Sequence, residues 1–253
     1  MDFKQSTFEE IVESEREMIL TAEERYGAYY ANASKFNILL SDFIKSIDPD
    51  RYIFAMFLSQ IKKHSLLALF STVRLHHIQA MMDLRQVLEA GSCAAYAIAN
   101  PDQNGFADIR ENGILNASQE LTGKRYKWLD EKYPTGSTAI HNMKGSINSS
   151  SAHSNIIYAH NNFKLNEGAG KIETPLFDKE DAYLVKIHLW TIGNIIMGLT
   201  DLFYSVAKDH GGIVFADNFI SRLKELENEN HRLMAEIQGT ERYKKSLEKT
   251  SSV

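Results

Sequence analysis

The stretch with most chemical content is STVRLHHIQAMMDLRQVLEAGSCAAYAI, residues 71–98. Wound as a helix at 100° per residue, it places Gln79, Asp83, Gln86 and His76 on one polar arc, the expected solvent face. Arg85 and Glu89 fall on the opposite side, one turn apart, among Ile78, Met81, Met82 and Leu88. An i,i+4 Arg–Glu pair on an apolar side must be desolvated, and it persists there only if paired and hydrogen-bonded. A second stretch, SSSAHSNIIYAHNNF, carries His153 and His160 two helical turns apart and therefore on one face. Two helices offering Arg85 with Glu89 and His153 with His160 to a common interior would build a pocket with acid–base capacity. The other reading of the same four residues is a core network that fixes helix register.

Spacing argues against a metal centre, because i,i+7 histidines lack the i,i+3 or i,i+4 pattern of helical ligand pairs. No metal and no cofactor is therefore expected. EGAGKIET resembles a phosphate loop only superficially: Leu165 stands where its first glycine belongs, and Ile172 follows the lysine in place of Ser or Thr. Cys93, the single cysteine, lies among Gly91, Ala94 and Ala95, a setting for an inert packing thiol.

The elements that must position these residues read as all-α, a multi-helix bundle built on long helices. Only 4 prolines and 14 glycines punctuate 253 residues. One breaker-poor run spans Thr7 to Ile47 and opens with a capping box, Ser6 or Thr7 followed three residues later by Glu9 or Glu10. Another spans Asp50 to Asn100; as one helix it would be about 75 Å long, so a break is expected near Ser71-Thr72. Shorter helices are expected over Ala107–Leu121, Lys124–Tyr133 and Ala152–Phe163, with a small hairpin or loop near 164–177 as the one place for β structure. Asp178 reads as the cap of a long apolar helix ending at Gly211-Gly212.

From Ala216 to Leu247 apolar residues recur at alternating spacings of three and four. With Leu223, Asn230 and Ile237 at a, the d positions are Phe219, Leu226 and Leu233. Leucine at d with one buried asparagine at a favours a parallel two-stranded coiled coil in register, and Arg222 would face Glu227 of a second copy. RLKELENENHRLMAEI resembles a leucine zipper. The alternative, a helix folded back on its own domain, usually shows a wider apolar stripe. The expected organisation is a helical bundle over 1–210, a glycine-containing linker over 211–215 and a C-terminal parallel dimeric coiled coil over 216–253. No basic arm precedes the heptads, which excludes a zipper that reads DNA.

A net charge of −5 argues against nucleic-acid binding as the main business of the chain, so RNA as a partner has no support from charge. One cysteine fits a reducing compartment, and the acidic start MDFKQSTFEEIVESERE lacks the features of a signal peptide. The apolar run from Ile187 to Ala207 is broken by His188, Asn194 and Asp201 and reads as a core helix, with no membrane expected. A cytoplasmic protein follows.

LRQVLEAGSCAAYAIANPD, followed by SSAHSNIIYAHNNF, resembles a group of bacterial all-helical proteins that are similar in outline to HEPN-type domains of toxins and phage-defence ribonucleases. The resemblance covers about residues 50–205. It implies either a homodimeric partner- or ligand-binding component in phage defence or regulation, or a metal-independent ribonuclease using His153 or His160 with Arg85. The ribonuclease signature is an arginine with a histidine four to six residues later on one helix. Neither His153 nor His160 has such an arginine, which favours the binding reading over the enzyme.

Overall fold

The computed structural model describes residues 2–4, 7–109, 115–116, 119–151, 163–166, 171–173 and 175–250. In chain order the elements are β1 (Asp2–Lys4), α1 (Phe8–Leu20), α2 (Ala22–Tyr26), α3 (Ala28–Asp42), β2 (Ile44–Ile47), α4 (Tyr52–Val73), α5 (His77–Ala99), β3 (Asp108–Ile109) and β4 (Leu115–Asn116). Then come α6 (Gln119–Lys132), α7 (Pro134–Ser151), β5 (Lys164–Asn166), β6 (Lys171–Glu173), α8 (Ala182–His210), β7 (Ile213–Phe215), α9 (Phe219–Gly239) and α10 (Glu241–Thr250). The architecture is all-α, with short strands at its margins.

The first long run is not one helix. Its capping box forms: the Thr7 amide donates to Glu10 Oε2 at 2.9 Å and the Glu10 amide to Thr7 Oγ1 at 3.2 Å. The chain then turns at Thr21 and again at Gly27, whose φ of 55° is the left-handed region that glycine enters without strain. Its last residues leave the helix altogether. β2 pairs antiparallel with β7, and the Asp48 amide donates to the Gly212 carbonyl at 2.9 Å. Residues 213–215, expected as linker, are thus a paired strand. β5 and β6 form the expected hairpin, and β1 adds parallel to β6. The stretch over Ala107–Leu121 holds β3 and β4, not the expected helix.

The second long run folds into a hairpin of α4 and α5. The reversal comes at Arg74–His76, a few residues after the expected break. Leu75 takes φ 60° there, which costs a leucine on the order of 1–3 kcal/mol, and it is buried. Asp178 holds the turn. Its amide donates to the Leu75 carbonyl at 2.9 Å, and its carboxylate accepts from the His77 amide at 2.7 Å. Asp181 performs the capping expected of Asp178, accepting from the Tyr183 and Leu184 amides at the start of α8.

α3, α4, α5 and α8 surround the main core, with Phe36, Phe54, Ile61, Leu84, Ile192, Ile196 and Phe203 fully enclosed. Residues 49–73 and α8 are long and apolar enough to cross a membrane by length and composition, and here both pack in this core.

Where α5 meets α8, the His77 and His188 rings pack edge to face, 5.0 Å apart. Burial pulls both imidazoles below the ordinary histidine pKa, His188 to about 3. The unfolded chain takes up these protons near pH 6.5, so stability is at its full value above that pH and is lost below it. From pH 7 to 5 the loss through His188 is about 2 kcal/mol. Urea midpoints at the two pH values should show this, and His188→Phe should shrink the difference. Glu15 and Asp181, whose pKa values are lowered chiefly by hydrogen bonds from His76 and Arg242, add their losses only below about pH 4.5. Equal midpoints at pH 7 and 5 would show that the pair is not held neutral.

The C-terminal helix, expected to line a seam between two chains, finds partners for its heptad face within its own chain. Phe219, Leu223, Leu226, Asn230, Leu233 and Ile237 are all buried, as the heptads required. They are buried within one chain: α9 lies in the groove between α3 and α8. Asn230 does meet an asparagine, but it is Asn32 of α3, whose Nδ2 donates to Asn230 Oδ1 at 3.1 Å. Trp190 Nε1 donates to the Asn230 carbonyl at 3.0 Å and the Tyr29 hydroxyl to the Leu233 carbonyl at 3.1 Å. Arg222 pairs with Asp42 at 2.9 Å instead of with a partner's Glu227. The close approach of α3 and α8 also depends on Gly193, where a Cβ would stand 2.8 Å from the Phe36 ring. α10 is tied down as well, since Arg242 grips both oxygens of Asp181 at 2.6–2.8 Å.

The buried amide pair gives a prediction. Asn32→Ala strands Asn230 Oδ1 without a donor and should cost about 1–3 kcal/mol. The double replacement Asn32→Leu/Asn230→Leu removes both amides together and should recover most of that loss in denaturant titrations. A double variant less stable than the single would mean that the pair is worth more than its desolvation.

Candidate functional site

α5 is covered by α4, α6, α7 and α8. A helix with that many neighbours keeps little solvent face beyond Ile78 and Gln79 in its first turn, so most of its polar residues fall into the seams between them. Asp83, expected at the surface, is 3% exposed. Its oxygens are held by His64 Nδ1 of α4 at 2.8 Å and by Gln79 Nε2 at 3.0 Å. Arg85 and Glu89 are the reverse case. Arg85 Nε donates to Glu89 Oε1 at 3.2 Å, and the two side chains are 31% and 36% exposed. The pair exists, but at the edge of a cleft and not inside the core.

That cleft, about 250 Å³, opens between α4, α5, α6 and α7. α7 brings Lys144, whose Nζ lies 3.4 Å from Glu89 Oε1, donates to the Tyr126 hydroxyl at 2.7 Å and sits 4.7 Å above the Tyr126 ring. α6 brings Arg125. Its guanidinium donates to the Thr122 hydroxyl at 3.0 Å and the Gly105 carbonyl at 3.4 Å, and packs over the Phe106 ring at 5.6 Å. Arg125 is 8% exposed, yet among the described residues no carboxylate stands within ion-pairing distance of it. Burying a cation without a counter-charge is costly, and an incoming anion would relieve that cost.

The remaining walls are polar or thin. Gln60 of α4 and Gln86 of α5 face the cleft, and neither carboxamide has a hydrogen-bond partner among the described residues. Cys93 also lines it. Burial raises the thiol pKa, with Arg125 and Ser92 pulling the other way. This agrees with a thiol of low reactivity but places it at the cleft wall. Arg85, Arg125 and Lys144 against Glu89 give the region three cations to one carboxylate.

Of the four residues singled out in the sequence, Arg85 and Glu89 come together here, and His153 and His160 lie outside the described residues. Arg125, Lys144, Tyr126 and Gln60 were missed. A signal for two of them was present in Lys124-Arg125-Tyr126-Lys127-Trp128, basic residues interleaved with aromatics. Among the described residues no group of three or more His, Cys, Asp or Glu side chains is placed to hold a metal ion. Comparison with family models, with curated proteins and with solved structures finds no match for this chain.

Proposed function

We propose that this chain is a ligand-binding helical protein whose cleft between α4, α5, α6 and α7 takes a small anion, with a phosphate group as the best fit. The observation that carries the reading is Arg125, a buried guanidinium with no carboxylate partner among the described residues. A phosphate oxygen on Arg125 and Lys144 supplies the missing counter-charge through charge-assisted hydrogen bonds. Glu89 favours a ligand that also offers a donor, such as a sugar hydroxyl or a phosphate that retains one proton. Gln60 and Gln86 are unspent polar groups able to orient the ligand.

Calorimetric titration with inorganic phosphate, glucose 1-phosphate and acetate tests this. The expected order is glucose 1-phosphate tightest and acetate weakest, with affinity falling as salt rises. Absence of binding by both phosphates, or acetate binding as tightly, would contradict the reading. An arm with total RNA addresses the ribonuclease alternative. Cleavage that disappears in both His153→Ala and His160→Ala would replace ligand binding with catalysis.

A further inference from the structure

A second cavity, about 490 Å³, lies between α5, α7 and α8, on the other side of the α5–α7 contact from the polar cleft. Its volume falls in the range of small-molecule sites, which runs from roughly 300 to 1,000 Å³. Leu88 of α5 and Ile140 and Met143 of α7 supply an apolar floor. α8 supplies something different. Asn194, Gly198, Asp201 and Ser205 recur at spacings of four, three and four and so form one stripe facing the cavity. None of the three polar side chains makes a hydrogen bond or ion pair among the described residues. Gly198 keeps the stripe low: a Cβ there would meet nothing within 4 Å, which leaves open space above the helix.

Charge decides what fits. Asp201 stands at the exposed mouth with no ion-pair partner among the described residues, and desolvation together with the nearby Glu227 holds its pKa above the usual carboxylate value. Lys132 also lines the cavity and is exposed, and it makes no ion pair with Asp201. An anionic head beside Asp201 and Glu227 would be repelled, whereas a cationic one would offset both carboxylates.

We propose that this cavity is a binding site for a small ammonium ligand with a hydrocarbon body. The hydrocarbon packs on Leu88, Ile140 and Met143, and the ammonium donates to the Asp201 carboxylate and the Ser205 hydroxyl, which lie one helical turn apart. The site is separate from the anion cleft, and neither reading depends on the other.

Hexylammonium, 1-hexanol and hexanoate, compared by calorimetry and thermal shift on the full chain at pH 7, form the test. Hexylammonium should bind at least about tenfold more tightly than hexanoate, with hexanol between them. Gly198→Leu, which fills the space from a position open enough to leave folding intact, should abolish binding without lowering the unfolding midpoint. Asp201→Asn should bring hexylammonium and hexanol to within about twofold of each other. Hexanoate binding as well as hexylammonium, binding that survives Gly198→Leu, or no probe binding at all would each overturn the proposal.

Discussion

Phe219→Ala is expected to destabilise the folded chain by about 3–5 kcal/mol, by the same amount at every protein concentration. The size follows from what the ring touches. Phe219 is fully enclosed, its centroid 5.1 Å from Phe215, 5.6 Å from Phe43 and 5.9 Å from Tyr204. These partners come from β7, the end of α3 and α8, so truncation opens a cavity where the docked tail meets the body. The independence from concentration follows from where the partners lie. A residue that stabilises a seam between two copies loses its contribution on dilution, because dissociation is governed by mass action. A residue packed within its own chain does not. Denaturant titrations over a hundredfold range of protein concentration separate the cases, and a midpoint that rises with concentration in the wild type and not in Phe219→Ala would favour the intermolecular seam.

Arg125→Gln is expected to weaken phosphate binding by at least about tenfold, and up to a hundredfold or more, from the loss of charge-assisted hydrogen bonds worth about 1.5–3 kcal/mol. Arg125 is surrounded by Phe106, Thr122 and Gly105, which hold the guanidinium in place before any ligand arrives. A preorganised donor spends little of its interaction energy on ordering itself. Arg125→Lys keeps the charge but loses the planar fork, and should recover only part of the affinity. Because the wild-type cation has no carboxylate partner among the described residues, Arg125→Gln should leave the unfolding midpoint unchanged or raise it. That sign is the distinguishing feature: removing a structural arginine lowers stability, while removing an unpaired buried charge does not. Equal phosphate affinity in wild type and Arg125→Gln would place the anion elsewhere.

The sequence made the helical class, the capping box, the α4–α5 reversal and the β5–β6 hairpin legible, because local chemistry dictates each of them. Non-local facts were not. Ile44–Ile47 lies at the end of a helical run and becomes a strand only because Ile213–Phe215 is there to pair with it. The a and d stripe of α9 says that a helix packs against helices and that an asparagine must meet a polar partner. It cannot say whose helix or whose asparagine. Asn32, lying in α3 far along the chain from Asn230, leaves no trace in the heptads. The same limit explains the site. Projection on a wheel divides α5 into two faces, whereas four neighbours divide it into seams, so Asp83 moved inward and Arg85 and Glu89 moved to a cleft edge. Arg125 and Lys144 reach that edge from α6 and α7, which only the tertiary fold brings beside α5.

The most direct test of the anion cleft uses its single thiol. Cys93 lines the cleft, and Arg125 is one of the charges acting on it. A phosphate seated on Arg125 should shield the sulfur and raise its pKa further, so the rate of Cys93 labelling by a disulfide reagent should fall as inorganic phosphate is added and reach a plateau. In Arg125→Gln the rate should not respond to phosphate over the same range, with ionic strength held constant in both. A wild-type labelling rate that phosphate leaves untouched, or that it slows equally in Arg125→Gln, would contradict an anion site at this cleft.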